Sequence, residues 1–347
     1  MVPQPDGVSA AGDDSRLEAR TSPSGAQAPP AFAVKVDVDT YEGLVEGAPR
    51  LLELLARHGV RATWFVAMGP DRTGRAVLRV FRQRGFLAKM LRSGAPRLYS
   101  LRTMLRGTLL PAVPIAAGAP HRLREIAAAG HEIGVHGYDH VYWHDHLRGL
   151  AEDAVREEVD RACRLFEEIL GARPVAFAAP GWQCTRASLQ AIDERGFRYR
   201  SDTRGTRPYR PRADGYLSSV PELPTTLPTL DEVLGREGRS VEELTDFYLR
   251  RIPLDRLTVH TVHTEIEGGP CLAHLDRLLA RLRERLPVRP LGEVADLLPA
   301  ADRLPICEVE FGRLPGRGGE VACQVDANGG AGLDPGRREP LAAACLP

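Results

Sequence analysis

Several features that mark other protein classes are missing from this sequence of 347 residues. Six cysteines are present, but none forms a Cys-x-x-Cys pair, which argues against a zinc ribbon or a thioredoxin-like motif. No apolar run approaches the ~18 residues that a membrane-spanning helix needs. The first residues also lack the charged start and apolar stretch of a secretory signal. We therefore expect reduced thiols in a cytoplasmic protein, with peripheral membrane binding left open.

Acidic residues are absent from one long stretch, although the chain as a whole carries 46 basic and 46 acidic side chains. Residues 72–124 contain twelve Lys or Arg and no Asp or Glu. Apolar residues alternate with them at helical spacing, which is typical of a helix lying in a membrane interface. We predict a basic amphipathic helical insertion at residues 70–121, of which residues 72–110 bind an anionic membrane surface. A solvated basic face is the alternative, and the lack of any recognisable nucleic-acid module argues against nucleic-acid binding.

Apolar periodicity predicts alternating strands and helices between residues 31 and 324. Short β-branched runs predict strands at residues 32–38, 62–66, 132–136, 174–178, 197–201 and 257–262. Helical spacing, often stopped by a glycine, predicts helices at residues 46–58, 121–129, 150–170, 186–195, 241–251 and 273–286. This alternation predicts an α/β fold with a parallel sheet, and about seven repeats favour a barrel that is distorted or incomplete. Residues 1–30 and 325–347 show no periodicity and are predicted to be disordered tails.

Chemically active side chains follow several of the predicted strands directly. In α/β barrels, catalytic residues lie at the C-terminal ends of the strands. The residues in that position here are Asp37, Asp39, His136, Asp202 and His263. This coincidence predicts an active site at that end of the barrel.

A metal site is predicted from two imidazoles and a pair of carboxylates. His136 and His140 are spaced so that they would share one face of a helical turn, close enough to bind one ion. Asp37 and Asp39 alternate at the end of the first strand. Two imidazoles and one carboxylate form a ligand set with positions open for water, and the second carboxylate is then free for proton transfer. Such ligands suit one divalent ion, with zinc first and cobalt, manganese or nickel as alternatives.

Five short motifs occur in a characteristic order along the chain. They are the pair Asp37 and Asp39, the pair His136 and His140, and residues 179–182, 201–202 and 262–263. In this order they resemble the five motifs of the polysaccharide deacetylases, the NodB-homology family. The resemblance implies a distorted, seven-stranded (β/α) barrel that removes an N-acyl group from an amino sugar by hydrolysis.

The resemblance also implies a role for each matched residue. The implied metal ligands are Asp39, His136 and His140. Asp37 would be the general base and His263 the general acid, with Asp202 tuning the protonation of His263. An amine leaves readily only when it is protonated, so an acid is needed at this step.

One departure from the family pattern concerns the third motif, which usually supplies an arginine that holds the catalytic base. None is present here, and we expect Arg204 to take its place or to contact the substrate. A backbone N–H at Gly181 or Trp182 would stabilise the oxyanion. Trp182 would stack on the sugar ring, unless it is a core residue. Glu265 and Glu267 would contact the sugar, with a solvated loop as the alternative.

Longer runs narrow the resemblance to one branch of the family. They lie at residues 36–40, 69–75, 86–92, 201–205, 227–233 and 263–268, and the similarity extends over residues 32–324. That branch deformylates 4-deoxy-4-formamido-L-arabinose linked to undecaprenyl phosphate, in the lipid A modification that gives polymyxin resistance. The resemblance thus implies a lipid-linked amino sugar as substrate, at the cytoplasmic face of the bacterial inner membrane. The alternatives are a deacetylase of another N-acyl amino sugar and a non-enzymatic membrane-binding module.

Overall fold

Alternating apolar runs and amphipathic helices build a parallel sheet in this computed structural model, which describes residues 28–77 and 101–326. Ten strands lie within these residues: β1 (Ala31–Val38), β2 (Thr63–Val66), β3 (Glu132–Val135), β4 (Ala176–Phe177), β5 (Tyr199–Arg200), β6 (Arg210–Ala213), β7 (Tyr216–Leu217), β8 (Leu257–His263), β9 (Ile306–Arg313) and β10 (Glu320–Asp326). Six of them form the main sheet in the order β5-β4-β3-β2-β1-β8, and every pairing in it is parallel. All eight residues of β1 are buried, because helices and side chains cover both faces of such a sheet.

Helices surround the main sheet and bury their apolar faces against it. Those in the described residues are α1 (Ala48–His58), α2 (Thr73–Val77), α3 (Leu101–Leu105), α4 (Ile115–Gly118), α5 (Pro120–Ala128), α6 (His140–His146), α7 (Glu152–Leu170), α8 (Arg186–Arg195), α9 (Leu230–Val233), α10 (Val241–Leu249), α11 (Leu272–Leu282) and α12 (Leu291–Asp296). Gly59 and Gly171 end α1 and α7 in the left-handed conformation, as their positions in the sequence predict. All six predicted strands and all six predicted helices are present.

The predicted seven-stranded barrel has six regular strands, and an irregular segment takes the seventh position. Residues 221–227 lie between the two edge strands: Leu223 N–H donates to the Arg200 carbonyl (2.8 Å) and Thr226 N–H to the Val259 carbonyl (3.0 Å). Pro221 and Pro224 lack the N–H groups that a regular strand would use. The α/β barrel fold is therefore confirmed, with a different strand count.

A second sheet, of order β10-β9-β6-β7, was not predicted from the sequence. The β9–β10 hairpin packs Val321 and Cys323 against Trp182, next to the C-terminal edge of the main sheet. Its last strand includes Val325 and Asp326, which corrects the predicted start of the C-terminal tail at residue 325. Residues 1–27 and 327–347, which make up most of the two predicted tails, lie outside the described residues.

The described part of the insertion contains three short helices, α2, α3 and α4, which pack beside the barrel. Residues 78–100, within the predicted basic helices, lie outside the described residues. Arg72 pairs with Asp139 of the barrel, and Arg106 lies within 3.6–3.7 Å of Asp71 and Glu42. Two of the arginines that the sequence assigned to a membrane surface therefore pair with acids of this chain. None of the described helices is both long and apolar enough to cross a membrane.

Candidate metal centre and active site

The parallel sheet brings the predicted active-site residues together at the C-terminal ends of its strands. Asp37 and His263 are direct register partners on β1 and β8. His136 follows β3, which β2 and β1 separate from β8. The strand-end argument made from the sequence therefore places these side chains correctly.

Asp39, His136 and His140 form a cluster whose potential ligand atoms lie within 4.8 Å of one another. Asp39 Oδ1 lies 3.3 Å from His136 Nε2 and 3.4 Å from His140 Nε2. This oxygen is buried and has no hydrogen-bond partner of good geometry, as expected of an atom reserved for an ion. The three residues thus fit one divalent metal ion of tetrahedral or octahedral coordination, with a coordination position left open for water.

The two histidines reach the cluster by different routes, which corrects the expectation that they share one helical turn. Gly137 turns the chain in the left-handed conformation (φ +70°) after His136, and His140 begins α6. Asp139 caps this helix by accepting a hydrogen bond from Tyr142 N–H (3.0 Å). The Nδ1–H of His136 faces the Ala178 carbonyl (2.8 Å), a bond that leaves Nε2 free for a metal.

Electrostatics favour the ionised form of the Asp39 side chain. Burial by itself would raise its pKa, but the adjacent rings of His140 and His136 outweigh burial and hold the pKa of Asp39 well below its usual range. A carboxylate is the form of this group that binds metal.

Lys35 is the cation beside the predicted base, a position we expected Arg204 to fill. The ammonium group of Lys35 lies 3.6 Å from Asp37 Oδ2 and donates to the Ser201 carbonyl (2.9 Å), and both side chains are buried. Arg204 instead donates to Glu232 (2.8 Å) and to the Leu227 carbonyl (2.9 Å). The sequence held a signal for Lys35, because residues i and i+2 of a strand point to the same face.

His263, the predicted general acid, is surrounded by carboxylates. Burial lowers its pKa, but Asp39, Asp231 and Glu267 outweigh burial, so the pKa of His263 lies above its ordinary value. A raised pKa keeps a proton on the imidazole, as a general acid requires.

The role of Asp202 in tuning His263, implied by the fourth motif, stays a prediction, and the contacts of its side chain are with other residues. Asp202 lies 3.9 Å from Arg200, and burial together with Glu222 raises the pKa of Asp202 to about 8. Asp231, on α9, is one of the carboxylates that raise the pKa of His263, together with Asp39 and Glu267. The sequence analysis included Asp231 in the run 227–233 but gave it no role.

Comparison with known proteins agrees with this geometry. The profile described as polysaccharide deacetylase matches residues 33–200. A Shewanella sediminis protein described as a 4-deoxy-4-formamido-L-arabinose-phosphoundecaprenol deformylase, ArnD, is 35% identical over 264 residues, which cover 76% of this chain and 85% of that protein. The chain belongs to the polysaccharide deacetylase family.

Two further proteins of known sequence or structure are similar to most of the chain. A protein of Wigglesworthia glossinidia brevipalpis with the same description is 28% identical over 283 residues, covering 80% of this chain and 96% of that protein. A crystal structure from Mycobacterium smegmatis, described as a polysaccharide deacetylase, has a TM-score of 0.55 at 22% identity and covers 82% of this chain and 94% of that one. At this identity the structural match supports the fold alone.

The two glutamates after His263 hold the site of this deacetylase-family chain together. Glu265 Oε1 accepts hydrogen bonds from the Thr40 N–H (2.9 Å) and hydroxyl (2.7 Å), next to Asp39. Glu267 is fully buried and accepts from His263 N–H (2.8 Å). Burial raises the pKa of each to about 7. Glu267 is therefore unavailable to a sugar, which corrects the prediction made for it, whereas Glu265 is partly exposed and its predicted contact stays a prediction.

Trp182 is a core residue and not an exposed stacking platform. Only 3% of it is exposed, its indole N–H donates to Thr225 (3.0 Å), and the guanidinium of Arg204 lies 5.0 Å from its ring centre. Its backbone N–H donates to the Ala179 carbonyl (3.2 Å), so of the two predicted oxyanion donors Gly181 remains the candidate. Both Gly181 and Trp182 have positive φ (+60° and +52°), a conformation that costs a non-glycine residue about 1–3 kcal/mol.

Proposed function

We propose that this chain is a metal-dependent amidohydrolase that deformylates 4-deoxy-4-formamido-L-arabinose linked to undecaprenyl phosphate, releasing formate and the 4-amino sugar. The observation that carries the proposal is the pairing of Asp37 with His263 across β1 and β8, beside the Asp39–His136–His140 cluster. A base, an acid and a metal site thus face one reaction centre. The deformylase descriptions of two relatives that cover most of this chain support the choice of substrate.

The chain's own residues divide the proton transfers between them. When bound, a divalent ion at Asp39, His136 and His140 supplies Lewis acidity and an acidified water, with zinc first among the ions that suit these ligands and cobalt, manganese and nickel next. Asp37 takes the proton of the attacking water, and Lys35 holds that carboxylate in place. The N–H of Gly181 donates to the oxygen that becomes negative. His263 protonates the departing amine, which leaves as a neutral group.

The substrate's polyprenyl chain requires access to a membrane, and we propose peripheral binding at the cytoplasmic face of the bacterial inner membrane. Of the basic residues in the described part of the insertion, Arg75 and Arg102 are exposed. Leu109 is 81% exposed, and the neighbouring Leu110 is also exposed. Exposed leucines beside arginines match an anionic lipid surface, into which apolar side chains insert while the cations remain at the headgroups.

The reaction is tested by measuring formate release from a formamido-arabinosyl phosphoprenol analogue by the metal-replete protein. We expect release by the wild type and none by Asp37→Ala or His136→Ala. Release that survives both substitutions would show that the site is misassigned. Release of acetate from an N-acetyl sugar, without formate from the analogue, would support a deacetylase of another amino sugar. Cleavage of neither substrate would favour a non-enzymatic module.

Membrane binding is tested separately by sedimentation with vesicles of phosphatidylglycerol or of phosphatidylcholine alone. We expect binding to the anionic vesicles, and a loss of binding in the double variant Leu109→Ser/Leu110→Ser. The matched control is Leu254→Ser, since Leu254 is similarly exposed (48%) but lies outside the insertion. Equal binding by both variants would exclude these leucines from the contact.

A further inference from the structure

The turn of the β9–β10 hairpin delivers an arginine to the wall of the proposed active site. Arg317 Nη1 lies 3.1 Å from Glu232 Oε1, and its guanidinium lies 4.5 Å from the ring centre of Trp182. Arg204 binds the same carboxylate oxygen (2.8 Å) and also contacts Trp182. Two guanidinium groups therefore share one buried carboxylate and one indole.

Glu232 connects this turn to the acid side of the site. Its second oxygen accepts from Thr229 N–H (3.1 Å) in a capping box, which fixes the start of α9. The turn packs so closely on α9 that a Cβ added at Gly316, where φ is +88°, would meet the Glu232 carbonyl at 2.2 Å. The residue before Glu232 is Asp231, whose side chain accepts a hydrogen bond from the Thr229 hydroxyl (2.6 Å) at the start of the same helix.

Trp182 is the second point of contact between Arg317 and the site. The backbone of Trp182 has a positive φ (+52°), a strained conformation that is kept only when contacts with the surrounding groups hold it in place. The groups that do so are the Thr225 hydroxyl, the two arginines and the apolar side chains of Val321, Cys323 and Leu314. The indole in turn meets the ring of His263 nearly edge-on, with ring centres 6.4 Å apart. The hairpin thus contacts Trp182, whose ring borders that of the general acid.

We infer that Arg317 is a positioning residue for the hydrolysis, which holds Trp182, and through it His263, in the reactive arrangement, while its contact with Glu232 fixes the start of α9 beside them. The inference rests on the proposed function, but it concerns a hairpin that lies beyond residues 33–200, the part matched by the family profile. Arg317 has no direct role in the proton transfers, so its effect appears in the rate of the chemical step and not in the binding of the substrate.

The test compares Arg317→Met, which removes the cation, with Arg317→Lys, which keeps it. The matched control is Arg313→Met, on the exposed face of the same hairpin. We expect Arg317→Met to lower kcat roughly tenfold or more, the effect of one charge-assisted hydrogen bond, with KM within about a factor of two. Arg317→Lys should recover part of kcat, and Arg313→Met should match the wild type. Wild-type kcat in Arg317→Met, or an equal loss in Arg313→Met, would overturn the inference.

A readout that does not depend on turnover separates this inference from the proposed function. With 5-fluorotryptophan incorporated, the resonance of Trp182 is assigned by its absence in Trp182→Phe. We expect Arg317→Met to shift and broaden that resonance while those of Trp64 and Trp143 stay unchanged. An unshifted Trp182 resonance would overturn the inference even in an active enzyme. Absence of formate release by the wild type, with the shift observed, would instead count against the proposed function alone.

Discussion

Replacement of Lys35 by Met tests whether a buried ion pair holds the catalytic carboxylate. Lys35 is fully buried, 3.6 Å from Asp37, and donates to the Ser201 carbonyl. The substitution removes both interactions and leaves Asp37 as a buried charge without its cation. Removal of one partner of a buried pair costs about 3–5 kcal/mol. Since a domain's whole free energy of unfolding is about 5–15 kcal/mol, urea unfolding monitored by circular dichroism resolves this loss easily.

A double-mutant cycle separates the ion pair from other effects of the Lys35 substitution. Replacing both charges with Lys35→Met/Asp37→Asn removes the uncompensated carboxylate. The double variant should therefore lose less free energy of unfolding than the two single variants lose together, by at least about 1 kcal/mol. Lys35→Gln, which retains a donor for Ser201, should lie between the wild type and Lys35→Met. Additivity within about 0.5 kcal/mol, or a cost below about 1 kcal/mol for Lys35→Met, would refute the ion-pair argument.

The remaining predictions concern pH, a helix cap and the metal. Burial, with His274 nearby, lowers the pKa of His260 to about 3, so only the unfolded chain takes up this proton below about pH 6.5. The contribution of His260 to the free energy of unfolding is therefore fully present above pH 6.5 and falls toward pH 3, by up to about 1.4 kcal/mol per pH unit. Urea titrations should show a flatter dependence of this free energy on pH for His260→Phe. An unchanged dependence would contradict the assignment. Asp139→Ala removes the cap of α6 and should lower the free energy of unfolding by about 0.5–2 kcal/mol. It should also weaken zinc binding, as measured by competition with a chelator. An unaltered zinc affinity would show that the cap does not position His140. Removal of the metal by dialysis against chelator should abolish formate release, and zinc or cobalt should restore it; full activity after verified removal would exclude metal dependence.

The fold and the clustering of the candidate metal ligands could be predicted because their signals are local. Helical and strand periodicity depend on neighbouring residues, and parallel strands place whatever follows them at one edge of the sheet. For this reason Asp37, Asp39, His136 and His263 could be assigned from the sequence together with their motif order. The C-terminal hairpin was not predicted, although Cys307, Val309 and Phe311 alternate with Glu308 and Glu310 as in a half-buried strand.

Other side chains depend on contacts between segments that lie far apart in the chain. The sequence left open whether Trp182 is a stacking platform or a core residue, and its burial beneath Arg204 and Arg317 decides for the core. Asp202 follows its strand as expected, and it lies 3.9 Å from Arg200, where burial and Glu222 raise its pKa.

Residue type and spacing by themselves determined that the chain folds as an α/β barrel and which side chains could bind a metal. Only the tertiary structure decided which cation lies beside Asp37 and which carboxylates surround His263. The physical reason is that electrostatic interactions depend on distance and burial, which local periodicity does not encode.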